Sequence, residues 1–366
     1  MKDFFNLIPE GYTFDDVLLV PSLSDIKTRS NVDLSSKFLG KIECSGPIIP
    51  ANMSTIVEEE MASSIGALGY PVAFHRFLSP KDIVIKYKRS VECFGIGYCP
   101  KEKLGISIGV NKKWYDDVFR EFMEEGINDL PFIIIDIAHG HHSLVQETIE
   151  DIKKYQKYFG FSILAGNVCT PEGAEYLAKL GVDGIKVGIG GGSICSTRIV
   201  TSCGYPQLSA IKNISEIIRV RYPKITIVAD GGIRNSGDIV KSLAAGADFI
   251  MAGNLFSGAE ETPGETVIID GKCKKKYSGM ASDDAMTIFF GEKRKTAEGE
   301  TVFVDPKGKV YEILENIIGG VKSGFSYCGC DNIEELHDYG KMTSSWVKVS
   351  PATQVENIPH AMLKGK

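Results

Sequence analysis

Short runs of consecutive apolar residues recur along the chain, each closed by a Gly, Asn, Asp or His cluster and followed by a stretch with helical spacing. Eight such runs stand out, at 47–52, 71–75, 104–110, 132–136, 162–167, 184–189, 225–230 and 248–253. In Phe132-Ile133-Ile134-Ile135 the apolar positions are consecutive, the pattern of parallel strands covered on both faces. Helical patterns lie between the runs, for example at 143–158, 170–180 and 235–245, and Pro171 takes a first helical position behind a Thr170 cap. Eight strand–helix alternations predict an α/β fold, a closed (β/α)8 TIM barrel whose working face is the C-terminal end of the strands. The structural competitor, an open doubly wound sheet, rarely needs eight evenly spaced units.

Two regions fall outside this scheme. Residues 1–40 form an N-terminal extension, and residues 265–310 interrupt the end of the barrel with a hairpin expected at Asp270-Gly271 and a charged, glycine-containing stretch. An insertion among the top loops of a barrel is a lid or substrate clamp, or else a solvated surface loop. The tail, 343–366, has weak periodicity and is expected to pack on itself or on a neighbour. The chain is thus read as one domain, 1–366.

A chain of 366 residues with 43% hydrophobic and 24% charged content is of ordinary globular composition. Its net charge of -6 argues against a nucleic-acid partner. The expectation is a cytoplasmic protein with no membrane partner, because no basic leader and no bilayer-length apolar run occur. Nine cysteines, scattered and without Cys-x-x-Cys spacing, read as free thiols in a reducing compartment. Cys203, Cys328 and Cys330 are expected to be structural. The His139-Gly140-His141-His142 cluster lacks a carboxylate at ligand spacing, so it is taken as loop and helix-start residues. His75 is as well explained by a hydrogen-bonded core position as by a site.

Chemistry concentrates after the sixth run, where Val187 to Arg198 reads Val-Gly-Ile-Gly-Gly-Gly-Ser-Ile-Cys-Ser-Thr-Arg. Glycines bring backbone N–H groups close to an anion, Ser193 adds a hydroxyl, and Cys195 places a sulfur against whatever the cradle holds. The bland alternative is a glycine-rich turn with a buried thiol. Loop seven adds Asp230-Gly231-Gly232-Ile233-Arg234 and loop eight Gly253-Asn254. Loops seven and eight of such a barrel are the usual phosphate site, and Asp230 suits the hydroxyls of a ribose. Together they predict a nucleotide-like ligand.

These motifs, with Tyr277-Ser278-Gly279-Met280, resemble the inosine monophosphate dehydrogenase and guanosine monophosphate (GMP) reductase family, from Gly11-Tyr12-Thr13-Phe14-Asp15-Asp16 through Ser326-Tyr327. The resemblance implies a purine nucleotide attacked at C2 by Cys195, with Thr197 and Glu298 passing a proton. It assigns Ser193, Asp230, Gly231, Gly232, Gly253, Asn254, Tyr277 and Lys295 to the nucleotide, and Met280, Ala281 and Ser282 to its base. For a nicotinamide dinucleotide it gives Thr28, Arg29, Arg76, Asp136, Ile137, Ala138 and Arg294. The carbonyls of Gly190, Gly192 and Cys195 match a monovalent-cation (K+) site, and the family implies a homotetramer.

Within the family, dehydrogenases hydrolyse their covalent intermediate with a long flap bearing an Arg-Tyr pair. Here only 287–297 separates Met286 from Glu298, and no Arg-Tyr occurs in it. The paired regulatory (CBS-type) modules of many dehydrogenases have no room either. Stretches such as Gly204-Tyr205-Pro206-Gln207-Leu208 and Gly291-Glu292-Lys293-Arg294-Lys295 also look reductase-like. The expectation is NADPH-dependent reductive deamination of GMP to inosine monophosphate (IMP) and ammonia. An IMP dehydrogenase lacking the regulatory modules and a non-catalytic nucleotide-binding barrel are the alternatives. Departures from the family pattern are Ser196 for threonine, Ala281 for serine and Asn254 for glycine.

Overall fold

Apolar side chains on both faces leave the predicted runs no solvent-facing side, and they bury completely by closing on one another. The computed structural model describes residues 7–92, 99–283, 285, 287 and 296–357. Its barrel strands are β1 (Ile48–Pro50), β2 (Val72–Phe74), β3 (Leu104–Ile108), β4 (Phe132–Asp136), β5 (Ser162–Val168), β6 (Gly184–Val187), β7 (Thr226–Asp230) and β8 (Phe249–Ala252). The parallel ladder runs β1-β8-β7-β6-β5-β4-β3-β2, and β1 and β2 are neighbours across the seam, so the ring is nearly closed. Seven of the predicted runs contain their strands, most trimmed by a residue or two at an end, whereas β5 runs one residue past its predicted end, to Val168.

The helices that follow the strands are α1 (Glu59–Ala67), α2 (Pro80–Val91), α3 (Lys112–Glu124), α4 (Ser143–Phe159), α5 (Pro171–Lys179), α6 (Gln207–Arg221), α7 (Ser236–Ala244) and α8 (Val310–Cys328). Their starts are written in the sequence. Side chains of Ser79, Asn111, Thr170 and Asn235 accept backbone N–H groups of the first turn, and Pro80 and Pro171 fill positions that need no donor. One apolar layer lies between strands and helices, and a second fills the barrel with Ile49, Phe132, Ile134, Leu164, Val228 and Phe249.

The N-terminal extension does more than precede the barrel. A short antiparallel hairpin, Ser36–Phe38 with Ile42–Cys44, plugs its N-terminal mouth, Phe38 meeting Phe132 and Phe249 edge-on at 5.0 and 5.1 Å between centroids. With that end sealed by apolar rings, the C-terminal end is left for polar groups. Residues of the tail, expected to fold on themselves or a neighbour, instead pair with the start of the chain: Trp346–Lys348 runs antiparallel to Val17–Leu19.

His337, on α9 (Ile333–Lys341), is buried with Nε2 2.8 Å from the Ala247 carbonyl and 3.3 Å from Arg219 Nη2. Burial, and after it the Arg219 charge, hold its pKa below the usual 6.5 despite the opposing pull of Asp248. The unfolded chain therefore protonates first as the pH drops. This contribution to stability is complete above about pH 6.5 and is lost as pH falls through the folded value. Calorimetry should show a thermal midpoint that declines as the pH drops below about 6.5, with a shallower decline in His337→Gln.

Candidate active site

A cavity of about 340 Å³ opens at the C-terminal ends of the strands. Its walls are loops six, seven and eight, the residues after β1, β2 and β4, Asn167 near the end of β5, and part of the inserted sheet. Loop six begins at Gly188, with φ +141 and an ideal Cβ only 2.0 Å from the Asp230 carbonyl, so a side chain cannot be accommodated. Gln207 stitches the same junction, its Nε2 donating to the Val187 and Asp230 carbonyls at 2.8 and 3.3 Å. Arg198 ties down the rest of the loop by donating to the carbonyls of Ile189 (3.1 Å) and Tyr205 (2.5 Å).

Cys195 is half-buried and lines the cavity. Its Sγ lies 3.2 Å from Thr197 Oγ1, and that hydroxyl donates to Glu298 Oε2 at 2.9 Å. Thiol, hydroxyl and carboxylate thus form a continuous proton path. Glu298 arrives from the far side of the insertion and is fixed by backbone pairing: Ser196 N–H donates to the Glu298 carbonyl, Glu300 N–H to the Ile194 carbonyl, and Cys195 bridges Gly299.

The insertion itself is a three-stranded antiparallel sheet of β9 (Thr266–Ile269), β10 (Lys272–Ser278) and β11 (Thr301–Val304). Its predicted turn is present, with Asp270 at φ 50 and Gly271 at φ 73, the mirror-image pair that a two-residue hairpin requires. The outgoing strand delivers Tyr277, 4% exposed, into the cavity with its hydroxyl 3.5 Å from Ser193 Oγ. Burial pushes the Tyr277 hydroxyl pKa up, so it remains a neutral donor.

Loop seven is braced from outside. The Arg234 guanidinium donates to both Asp15 oxygens at 2.8 and 2.6 Å and to Asp238 Oδ2 at 3.1 Å, fastening the N-terminal segment beneath Gly231 and Gly232. The cavity floor is charged. Lys186 of β6, 2% exposed, puts Nζ 2.7 Å from Asp136 Oδ1 and 3.2 Å from Asp230 Oδ2. Burial raises the pKa of Asp136, but the Lys186 and Arg76 charges outweigh it, and the carboxyl is held below the usual range.

Of the residues singled out in the sequence, the structure gathers Cys195, Thr197, Glu298, Gly190, Gly192, Ser193, Asp230, Gly231, Gly232, Gly253, Asn254, Tyr277, Met280, Ala281, Arg76, Asp136, Ile137 and Ala138 around one cavity. Ser282 is buried outside the lining, its hydroxyl accepting the Ala285 N–H. Thr28 and Arg29 are not brought there; they form a short exposed turn capped by the Thr28 hydroxyl. Arg294 and Lys295 lie outside the described residues. His142 caps α4, and His75 is buried with Nδ1 accepting the Phe77 N–H. Cys328 and Cys330 are buried, whereas Cys203, expected to be structural, is exposed. Sequence reasoning passed over Lys186 and Asn167, whose Nδ2 donates to Asp230 Oδ2 at 2.8 Å. The available signal was a lysine inside an otherwise apolar strand.

An eight-stranded barrel presenting a cysteine, an acid relay and glycine-rich anion loops at one mouth is an enzyme scaffold for a phosphorylated small molecule. The family model described as IMP dehydrogenase / GMP reductase domain matches residues 11–360, and the chain belongs to that family of oxidoreductases. It is 38% identical to the GMP reductase of Staphylococcus carnosus over 328 residues, 89% of this chain and 94% of the relative. It is 34% identical to the inosine-5'-monophosphate dehydrogenase of Borreliella burgdorferi over 400 aligned positions, covering 96% and 97% of the two chains. Among solved structures, a variant GMP reductase of Trypanosoma brucei in complex with guanosine 5'-monophosphate superposes with a TM-score of 0.87 at 24% identity, covering 98% of this chain and 99% of that one. That likeness establishes the barrel fold.

Proposed function

We propose that the protein is a GMP reductase, converting GMP and NADPH with one proton into IMP, ammonia and NADP+. The observation that carries the reading is the unbroken chain from Cys195 Sγ through Thr197 Oγ1 to Glu298. The thiol proton passes through the Thr197 hydroxyl to the Glu298 carboxylate, and the thiolate left behind forms a bond to purine C2. The proton then returns from Glu298 to the exocyclic nitrogen, which departs as ammonia when its bond to C2 breaks. A thioimidate remains between Cys195 and the purine. Reduction at C2 and cleavage of the C–S bond release IMP and regenerate the thiolate.

Bound NADPH supplies the hydride for that reduction. Asp136, Arg76, Ile137 and Ala138 line the cavity and fit a ribose and carboxamide; the family resemblance adds Arg294 to the dinucleotide site. Ser193, Gly231, Gly232, Gly253, Asn254 and Tyr277 present N–H and O–H donors to the nucleotide phosphate, Asp230 accepts from its ribose, and Met280 and Ala281 flank its base; the family resemblance adds Ser282 and Lys295 to the nucleotide site. The carbonyls of Gly190, Gly192 and Cys195 would hold a monovalent cation; neutral carbonyl oxygens suit K+, and the Gly192 oxygen also accepts the Cys195 N–H at 3.2 Å. Exposed free thiols at Cys203 and Cys273 fit a cytoplasmic setting, and the family resemblance carries a homotetramer.

Only residues 75–103 separate β2 from β3, and among the described ones there is one helix and a short turn, which supports a single barrel unit without paired regulatory modules. Dehydrogenase chemistry is the second reading, favoured by relatives of that name. Absorbance at 340 nm, the reduced-nicotinamide band, separates the readings. Loss with GMP and NADPH is expected, gain with IMP and NAD+ would establish the dehydrogenase instead, and silence in both would leave only a binder.

A further inference from the structure

A buried ammonium inside a barrel strand needs a reason. Replacing a buried ion pair with apolar groups of similar volume is often neutral or stabilising, so stability alone does not call for a lysine at position 186. Its surroundings suggest another role. Asp136 ends β4 and faces Lys186 from β6, Arg76 from the loop after β2 at 3.8 Å, and Asn52 from the loop after β1. Asp230 ends β7 and faces Lys186 from β6 and Asn167 from β5. Both contacts to Asp230 fall on Oδ2, which leaves its Oδ1 for a ligand, while at Asp136 Lys186 holds Oδ1 and Arg76 lies 3.8 Å from Oδ2 on the cavity wall.

We propose that Lys186 is a positioning residue shared by two ligand subsites: one ammonium orients the Asp230 carboxylate for the purine nucleotide and the Asp136 carboxylate for the dinucleotide. This rests on the assignment of those two aspartates to the two ligands. The pair of carboxylates sits on strands that are not adjacent, with β6 beside β7 and two strands away from β4. Only a long side chain rising from between them reaches both. Its ammonium stays charged, because the two carboxylates outweigh the burial that opposes it. It is therefore a fixed donor and not a base.

The test compares Lys186→Met, Lys186→Arg, Asp136→Asn and Asp230→Asn by calorimetric titration with GMP and, separately, with NADP+. Asp230→Asn should weaken GMP alone and Asp136→Asn should weaken NADP+ alone. Lys186→Met should weaken both by about tenfold or more, the scale of a lost charged hydrogen bond, and Lys186→Arg should recover part of each. A folded Lys186→Met protein that loses affinity for only one ligand, or for neither, overturns the proposal. Should Lys186→Met not fold, Lys186→Met/Asp136→Asn and Lys186→Met/Asp230→Asn remove one uncompensated carboxylate each. Persistent weakening through the remaining aspartate supports the proposal, and wild-type affinity there refutes it. Wild-type protein that binds GMP but oxidises no NADPH with it would sink the catalytic reading alone, since the Lys186 result is read from dissociation constants.

Discussion

Cys195→Ala is expected to cut turnover by about three orders of magnitude or more while leaving GMP affinity within a few-fold of wild type. The two effects separate because the sulfur contributes a bond and the loop contributes the grip. Gly188, Gln207 and Arg198 set the backbone of loop six through contacts that do not involve the Cys195 side chain. Alanine keeps that backbone and removes only the Sγ contact to Thr197. Steady-state rates beside calorimetric titration with GMP measure both quantities. Turnover retained within tenfold would remove the covalent route altogether.

Glu298→Gln should slow the reaction by roughly two to four orders of magnitude, the usual worth of a positioned acid–base group. Glutamine preserves the shape and can still accept from the Thr197 hydroxyl, but it cannot take up and return a proton. Single-turnover traces that follow ammonia release and NADPH oxidation separately should show the first slowed more than the second. Equal slowing of both would mean that the carboxylate acts on the whole site, not on the departing amine.

The eight strands were legible because double-sided burial forces consecutive apolar residues, a pattern that loops and amphipathic helices do not imitate. Helix starts were legible for a different reason: a Thr-Pro or Asn cap is a local device, complete within four residues. What escaped the sequence was non-local. Ser36–Phe38 and Ile42–Cys44 are too short and mixed to announce themselves, and their role as a plug depends on Phe132 and Phe249, far along the chain. The third strand of the inserted sheet, Thr301–Val304, pairs with β10 across the whole charged stretch, so only a hairpin could be read at that place. At the site, loops six to eight were visible as glycine clusters, but Lys186 passed unread within its strand. Its partners lie 50 residues before it and, by subtraction, 44 after it, at Asp136 and Asp230.

The pairing around Gly299 has a further consequence. Ser282 and Cys195 both bridge that glycine, so the two ends of the segment between Ser282 and Gly299 meet at a single clasp beside the sulfur. Because doubling a tethered loop costs only about 0.6 kcal/mol in closure entropy, segments of very different length can be exchanged there without unseating the nucleophile. One barrel can in this way be retooled for another reaction by swapping a cassette, leaving the hands that hold the nucleotide untouched.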